Sequence, residues 1–303
     1  MLKARILISA ILIPSLIGIF VLDAQLGKQA YLLYVFCLLL SLRGCWEMTR
    51  LFQGRSFQPD FRLTSFCSFM IITAGWWTHW EQFPQPNLSA EGLIGITYGL
   101  SVLFLFFAGA VRYQEPGKSM EILGSELMTV SYIGVLLAMT VQLRWIASAE
   151  AGYLVLGSLV ISVKCGDIGA YTLGRLFGKK KMVPKLSPGK TWMGFWGALI
   201  GASAGACLWL HFAPAQFNPD WKPCSTTLAI IYGLILGLIG LIGDLCESLI
   251  KRDLGQKDSA ALMPGFGGLL DLLDSVLYAG PVAWLLWKLL PLKACIMPLV
   301  ENS

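Results

Sequence analysis

Long apolar runs separated by short polar breaks recur along the whole chain, and this alternation sets the elements. A hydrocarbon core of about 30 Å takes roughly 20 helical residues. Nine stretches meet that need: residues 6–22, 30–49, 61–80, 92–112, 122–143, 151–173, 191–212, 226–249 and 270–290. The first follows Lys3 and Arg5 as a secretory leader would. It is long for one, however, and lacks a small-x-small cleavage site, so it is read as a retained helix. The expected fold is all-α: a polytopic integral membrane protein of about nine transmembrane helices. Residues 1–150 form an expected N-terminal scaffold of five helices, and residues 151–303 an expected catalytic domain of four.

Composition strengthens this picture. Of 303 residues, 56% are hydrophobic and only 14% charged, whereas soluble domains carry about 25% charged residues. Disorder, a secreted disulfide scaffold and a soluble nucleotide-binding enzyme are excluded. The eight cysteines form no CxxC and sit mostly in or beside apolar segments, where cysteine behaves as a small buried hydrophobe. With only His79 and His211 available, a zinc site is not expected.

Charge gives the orientation. Nine helices put the N-terminus and the 2–3, 4–5, 6–7 and 8–9 connections on one side. That side holds Lys3, Arg5, Arg43, Arg50, Arg55, Arg62, Arg112, Lys118, Lys164, Arg175, Lys179, Lys180, Lys181, Lys185, Lys190, Lys251, Arg252 and Lys257, which is 18 of the 23 Lys and Arg. Cytoplasmic loops carry such an excess, so the N-terminus is expected in the cytoplasm and the C-terminus outside, in a bacterial inner membrane.

Ionisable residues at membrane depth are expensive and point to function; they concentrate in the second half. Lys164 and Asp167 share a helix face near the end of segment 6 and suit an ion pair. Residues 174–192 combine glycines, cations and the hydroxyls of Ser187 and Thr191. This is the equipment of a phosphate cradle, and equally of a basic loop at anionic headgroups. Gly189-Lys190-Thr191 mimics the end of a Walker A loop, but Pro184 stands where that motif needs glycine. Densest of all is the stretch from Asp244 to Ser275. Asp244 and Glu247 lie three apart on one helix face, as do Asp271 and Asp274 on the next. Close carboxylates repel unless a cation lies between them, and hard oxygen ligands favour Mg2+. Asp271 and Asp274 also suit a helix N-terminus, where the dipole favours negative charge. That explanation does not serve Asp244 and Glu247 at a C-terminus.

These residues resemble the phosphatidate cytidylyltransferase family, also called CDP-diacylglycerol synthases. The resemblance rests on Ser248, Lys251, Arg252, Lys257, Asp258, Pro264, Gly265, Gly267, Gly268, Asp271 and Asp274. Upstream it includes Asp167, Ala170-Tyr171, Gly174-Arg175, Phe177-Gly178-Lys179, Ser187-Pro188 and Lys190-Thr191-Trp192. The chain departs from the pattern at Phe266, where the family has His, at Leu272 in place of Arg, and at Met193 in place of Glu.

The resemblance implies transfer from CTP to phosphatidate, giving CDP-diacylglycerol and diphosphate at the cytoplasmic leaflet. It also implies Mg2+ on Asp244, Asp271 and Asp274, and a second cation. Asp244, Lys251, Asp271 and Asp274 are the expected catalytic set. Asp167, Ser187, Lys190, Thr191, Glu247, Ser248, Arg252, Lys257, Asp258, Gly267 and Gly268 are the expected substrate-binding set. No nucleic acid is expected as a partner. A homodimer is compatible with the small-residue stripes at Gly197, Gly201, Gly205, Gly233 and Gly237, which serve internal packing equally well. The competing readings are a related CTP-dependent enzyme with another lipid acceptor, an anionic-solute transporter, and an inactive scaffold.

Overall fold

The computed structural model describes residues 2–55, 57–84, 87–148, 150–260 and 267–296, without the side chains of residues 2–9, 11, 12 and 295. Apolar runs become helices: α1 (Leu2–Leu26), α2 (Tyr31–Leu51), α3 (Phe61–Trp77), α4 (Ala90–Arg112), α5 (Ser119–Trp145), α6 (Gly152–Phe177), α7 (Trp192–Phe212), α8 (Thr226–Asp253) and α9 (Leu270–Leu289). The protein is an all-α polytopic membrane protein. Among the described residues seven of these helices, α2 and α4 to α9, are long and apolar enough to cross a membrane. The expected spans at 6–22 and 61–80 do not enter that count. The α3 helix has 17 residues, about 26 Å at 1.5 Å per residue, short of the hydrocarbon core. In α1 the described apolar stretch is Ile13–Leu26.

The chain forms two compact units, residues 1–142 with 250–273, and residues 143–249 with 274–303. The expected division was a single boundary at residue 150; in the structure the segment 250–273 groups with the N-terminal unit.

In the first unit α3 packs against α2, α4 and α5, around buried Cys45, Met48, Ile71, Ile72, Trp76, Ile94 and Leu105. The α5 helix is interrupted by a π-helical turn at Val130–Val135. Polar residues fix the helix ends. Buried Asp23 accepts the N–H groups of Leu32 and Leu33 at 2.7 and 3.2 Å, satisfying donors at the start of α2. Asp60 caps α3 through Arg62 and Leu63. Fully buried Glu126 takes a two-pronged grip from Arg112 at 2.9 Å on each oxygen, and a further bond from the Asp60 N–H.

In the second unit the small-residue stripes are used internally. A Cβ on Gly169 would overlap the Gly197 carbonyl, and one on Gly197 the Gly169 carbonyl; α6 and α7 meet backbone to backbone, as such stripes permit. Gly233 of α8 sits against Ala202 and Ser203, and Gly237 against Ala198. The Tyr232 hydroxyl lies 2.9 Å from Ser158 Oγ, which also accepts from Trp287 Nε1 at 3.2 Å, linking α8, α6 and α9. Between α6 and α7 the expected loop is a hairpin of β1 (Lys181–Val183) and β2 (Ser187–Thr191), antiparallel, pairing Lys181 with Thr191 and Val183 with Ser187. Cys224 is disulfide-bonded, where a small buried hydrophobe was the expected role for the cysteines; Cys37, Cys45, Cys67, Cys165, Cys207 and Cys246 are free thiols.

Candidate active site

The second unit gathers three carboxylates. Asp244 and Glu247 are one turn apart on α8, and Asp274 comes from α9; one oxygen of each lies within 4.8 Å of the others. The approach follows from Gly243, since a Cβ there would lie 2.6 Å from Tyr278 Cβ and 3.0 Å from the Asp274 carbonyl. Glu247 and Asp274 are buried, while Asp244 is 40% exposed. The side chain therefore opens the cluster to water. Lys190, from the hairpin, pairs with Asp244 at 2.9 Å. Lys164 pairs with Asp167 at 2.9 Å, and both charges act on Asp274. That pair lies in the middle of α6 rather than at its end, because the helix continues to Phe177. Converging oxygen donors from two helices, two of them buried, fit a hard divalent cation. Together the three carboxylates could hold one, which would balance the charge of the buried acids.

Of the remaining upstream residues, Thr191 has a local partner. Thr191 is buried, and its hydroxyl accepts the Gly194 N–H at 3.1 Å, capping α7. Ser187 is half-buried in the hairpin.

The first unit arranges its part of the motif differently. Asp271 has both oxygens engaged: Oδ1 pairs with the buried Lys251 ammonium, while Oδ2 accepts the Ser259 N–H at 2.9 Å, the Ser259 hydroxyl at 2.7 Å and the Gly268 N–H at 2.7 Å. Gly267 has φ +90°, and a Cβ there would strike Asp271 Oδ2; one on Gly268 would strike Ser259 Oγ and Glu47 Oε2. Both glycines are thus demanded by close approach, the first also by its backbone conformation. Arg252 donates to the Gln256 carbonyl at 3.3 Å, Lys257 and Asp258 are exposed, and Ser248, in the second unit, is buried. Leu272 is half-buried and Met193 exposed. Pro264, Gly265 and Phe266 lie outside the described residues.

A model of the cytidylyltransferase family matches residues 3–290. The chain belongs to the cytidylyltransferase family. It is a nucleotidyltransferase. Among its relatives is a phosphatidate cytidylyltransferase of Haemophilus influenzae, 29% identical over 290 residues, covering 93% of this chain and 96% of that protein. Another, from Pseudomonas aeruginosa, is 32% identical over 288 residues, 95% and 97% of the two chains. A third, from Mycobacterium leprae, is 42% identical over 133 residues, 44% of this chain but 40% of that protein.

Sequence reasoning missed one part of this cytidylyltransferase. Glu47 of α2 is fully buried; it accepts from Arg43 Nε at 2.9 Å and from the N–H groups of Leu269 and Leu270 at 2.9 and 3.0 Å, and the Ser259 hydroxyl lies 3.1 Å away. The half read as scaffold therefore reaches the glycine motif. The available signal was a carboxylate at membrane depth with an arginine one turn before it.

Proposed function

We propose that this enzyme joins CTP and phosphatidate to give CDP-diacylglycerol and diphosphate. The observation carrying this reading is the cluster of Asp244, Glu247 and Asp274 with Lys190 paired to Asp244. It accompanies full-length similarity to proteins named for that reaction. Asp244, Glu247 and Asp274 would hold Mg2+, which, when bound, supplies positive charge to the triphosphate. A second cation, implied by the family resemblance, has no residues assigned to it.

In the proposed reaction a phosphate oxygen of phosphatidate attacks the α-phosphorus of CTP, and diphosphate leaves with its bonding electron pair. Phosphatidate is already anionic near neutral pH, so no side chain need take its proton. The chain's task is to bring two polyanions together, and cations aimed at the phosphates do that. Lys190, held by Asp244, is assigned to the triphosphate or the lipid phosphate. Lys251, held by Asp271, is assigned to phosphate as well. Asp271, first expected as a metal ligand, is read as the group that orients Lys251, since donors occupy both its oxygens.

The proposed location is the cytoplasmic leaflet of a bacterial inner membrane. Within the second unit, the hairpin precedes α7 and disulfide-bonded Cys224 follows it. Disulfides persist in oxidising compartments, so Cys224 supports an outward 213–225 loop and an inward hairpin, in agreement with the excess of Lys and Arg.

The test is product formation from labelled CTP by purified protein in lipid–detergent micelles, with phosphatidate, an isoprenoid phosphate or a lipid alcohol as acceptor, with and without Mg2+. CDP-diacylglycerol that requires both phosphatidate and Mg2+ is expected. Transfer to another acceptor alone would overturn the substrate assignment, and full activity in chelator would overturn the metal.

A further inference from the structure

Glu47 does more than complete a core. It is a buried carboxylate with three N–H donors and the Ser259 hydroxyl beside it, and all of these but Arg43 belong to the segment around Asp271. The Ser259 hydroxyl lies 3.1 Å from Glu47 Oε2 and 2.7 Å from Asp271 Oδ2. Its single proton serves the nearer oxygen, so two carboxylates close on one hydroxyl, each anchored by backbone N–H groups. Gly268 fits into the same space, with Glu47 on one side and Asp271 on the other. The chain of contacts runs from Arg43 through Glu47, Ser259 and Asp271 to Lys251, all within the first unit.

We infer that Glu47 is a positioning residue for Lys251: by fixing Ser259 and the Gly268–Leu270 backbone, it saturates Asp271 Oδ2 and leaves Oδ1 to hold the ammonium in one place. The functional half of this inference rests on the assignment of Lys251 to substrate phosphate; the geometric half does not. Glutamine at position 47 presents one oxygen and one NH2. Each carboxylate oxygen accepts one backbone N–H, so in either orientation the NH2 faces a backbone N–H that loses its acceptor. Small displacements of a group that must meet a phosphate cost rate steeply.

The experiment reads Lys251 directly. Full-length protein in micelles is treated with an amine-acylating reagent, and modification is quantified by peptide mass spectrometry for wild type, Glu47→Gln and Ser259→Ala, with exposed Lys118 as internal reference. An ammonium held by Asp271 is a poor nucleophile. Both substitutions should raise Lys251 modification at least about threefold relative to Lys118, while turnover of CTP falls about 10- to 100-fold. Unchanged Lys251 labelling in the folded variants would overturn the inference. So would raised labelling with undiminished turnover, because Lys251 would then be released without consequence. Ser259→Ala removes a single hydroxyl and keeps the test open where Glu47→Gln fails to fold. Should the wild type form no CDP-diacylglycerol, the proposed function fails on its own, and the labelling ratio still decides whether Glu47 holds Lys251.

Discussion

Asp244 with Glu247 and Asp271 with Asp274 are the same pattern on paper, two carboxylates three residues apart near a helix end. The fold separates them by partner. Asp274 joins Asp244 and Glu247 in a group whose oxygens converge on one another, whereas Asp271 is surrounded by donors, a lysine, a hydroxyl and two backbone N–H groups. Carboxylates that converge create demand for a cation; a carboxylate enclosed by donors has its charge met and works as a clamp. Spacing along a helix tells which side chains can meet, not which of these two states results.

The contrast can be broken most forcefully at the converging group. Asp274→Asn or Asp244→Asn should lower turnover by about a thousandfold, the scale of losing a preorganised electrostatic group, as measured by initial rates at saturating CTP. A loss below tenfold would remove the cluster from the chemistry. Lys251→Met should cost about a hundredfold in kcat/KM, because a charged contact to phosphate disappears. The same substitution leaving kcat/KM unchanged would reduce the Asp271 region to structure.

Gly268→Ala sharpens the comparison from the packing side. The added methyl meets Ser259 Oγ and Glu47 Oε2, so thermal unfolding should reveal a loss of about 1–3 kcal/mol with roughly tenfold lower activity. The smallest effect is expected at Leu272→Arg, which restores the family residue at a half-buried position. Turnover should change by less than about twofold, the scale of a substitution that touches none of the named site contacts. A large gain would mean that this chain is an impaired form of the enzyme.

Much of the fold was legible because membrane helices announce themselves as continuous apolar runs. Each of the nine expected segments coincides with a helix, from α1 to α9. What escaped was detail that hydropathy does not encode: the shortness of α3, the π turn in α5, and the hairpin, whose strands are three and five residues long. In the site, Asp244, Glu247 and Asp274 were legible as acids at membrane depth. The donors around Asp271 were not legible, for a physical reason. Its partners Ser259 and Lys251 lie 12 and 20 residues away in sequence, beyond what helical spacing can bring together. Glu47 is more distant still, 212 residues from Ser259. The Thr191 hydroxyl, expected to touch phosphate, also caps α7, a role that a threonine just before a helical run announces.

The central claim is that Asp244, Glu247 and Asp274 carry the divalent cation and Asp271 does not. The direct measurement is the Mg2+ concentration dependence of CDP-diacylglycerol formation in wild type, Asp244→Asn and Asp271→Asn. The account predicts that Asp244→Asn shifts half-saturation to about 10- to 100-fold higher Mg2+ and regains part of its activity there. Asp271→Asn should keep the wild-type half-saturation at a lower plateau that added Mg2+ does not restore. A shift with Asp271→Asn, or none with Asp244→Asn, would contradict it.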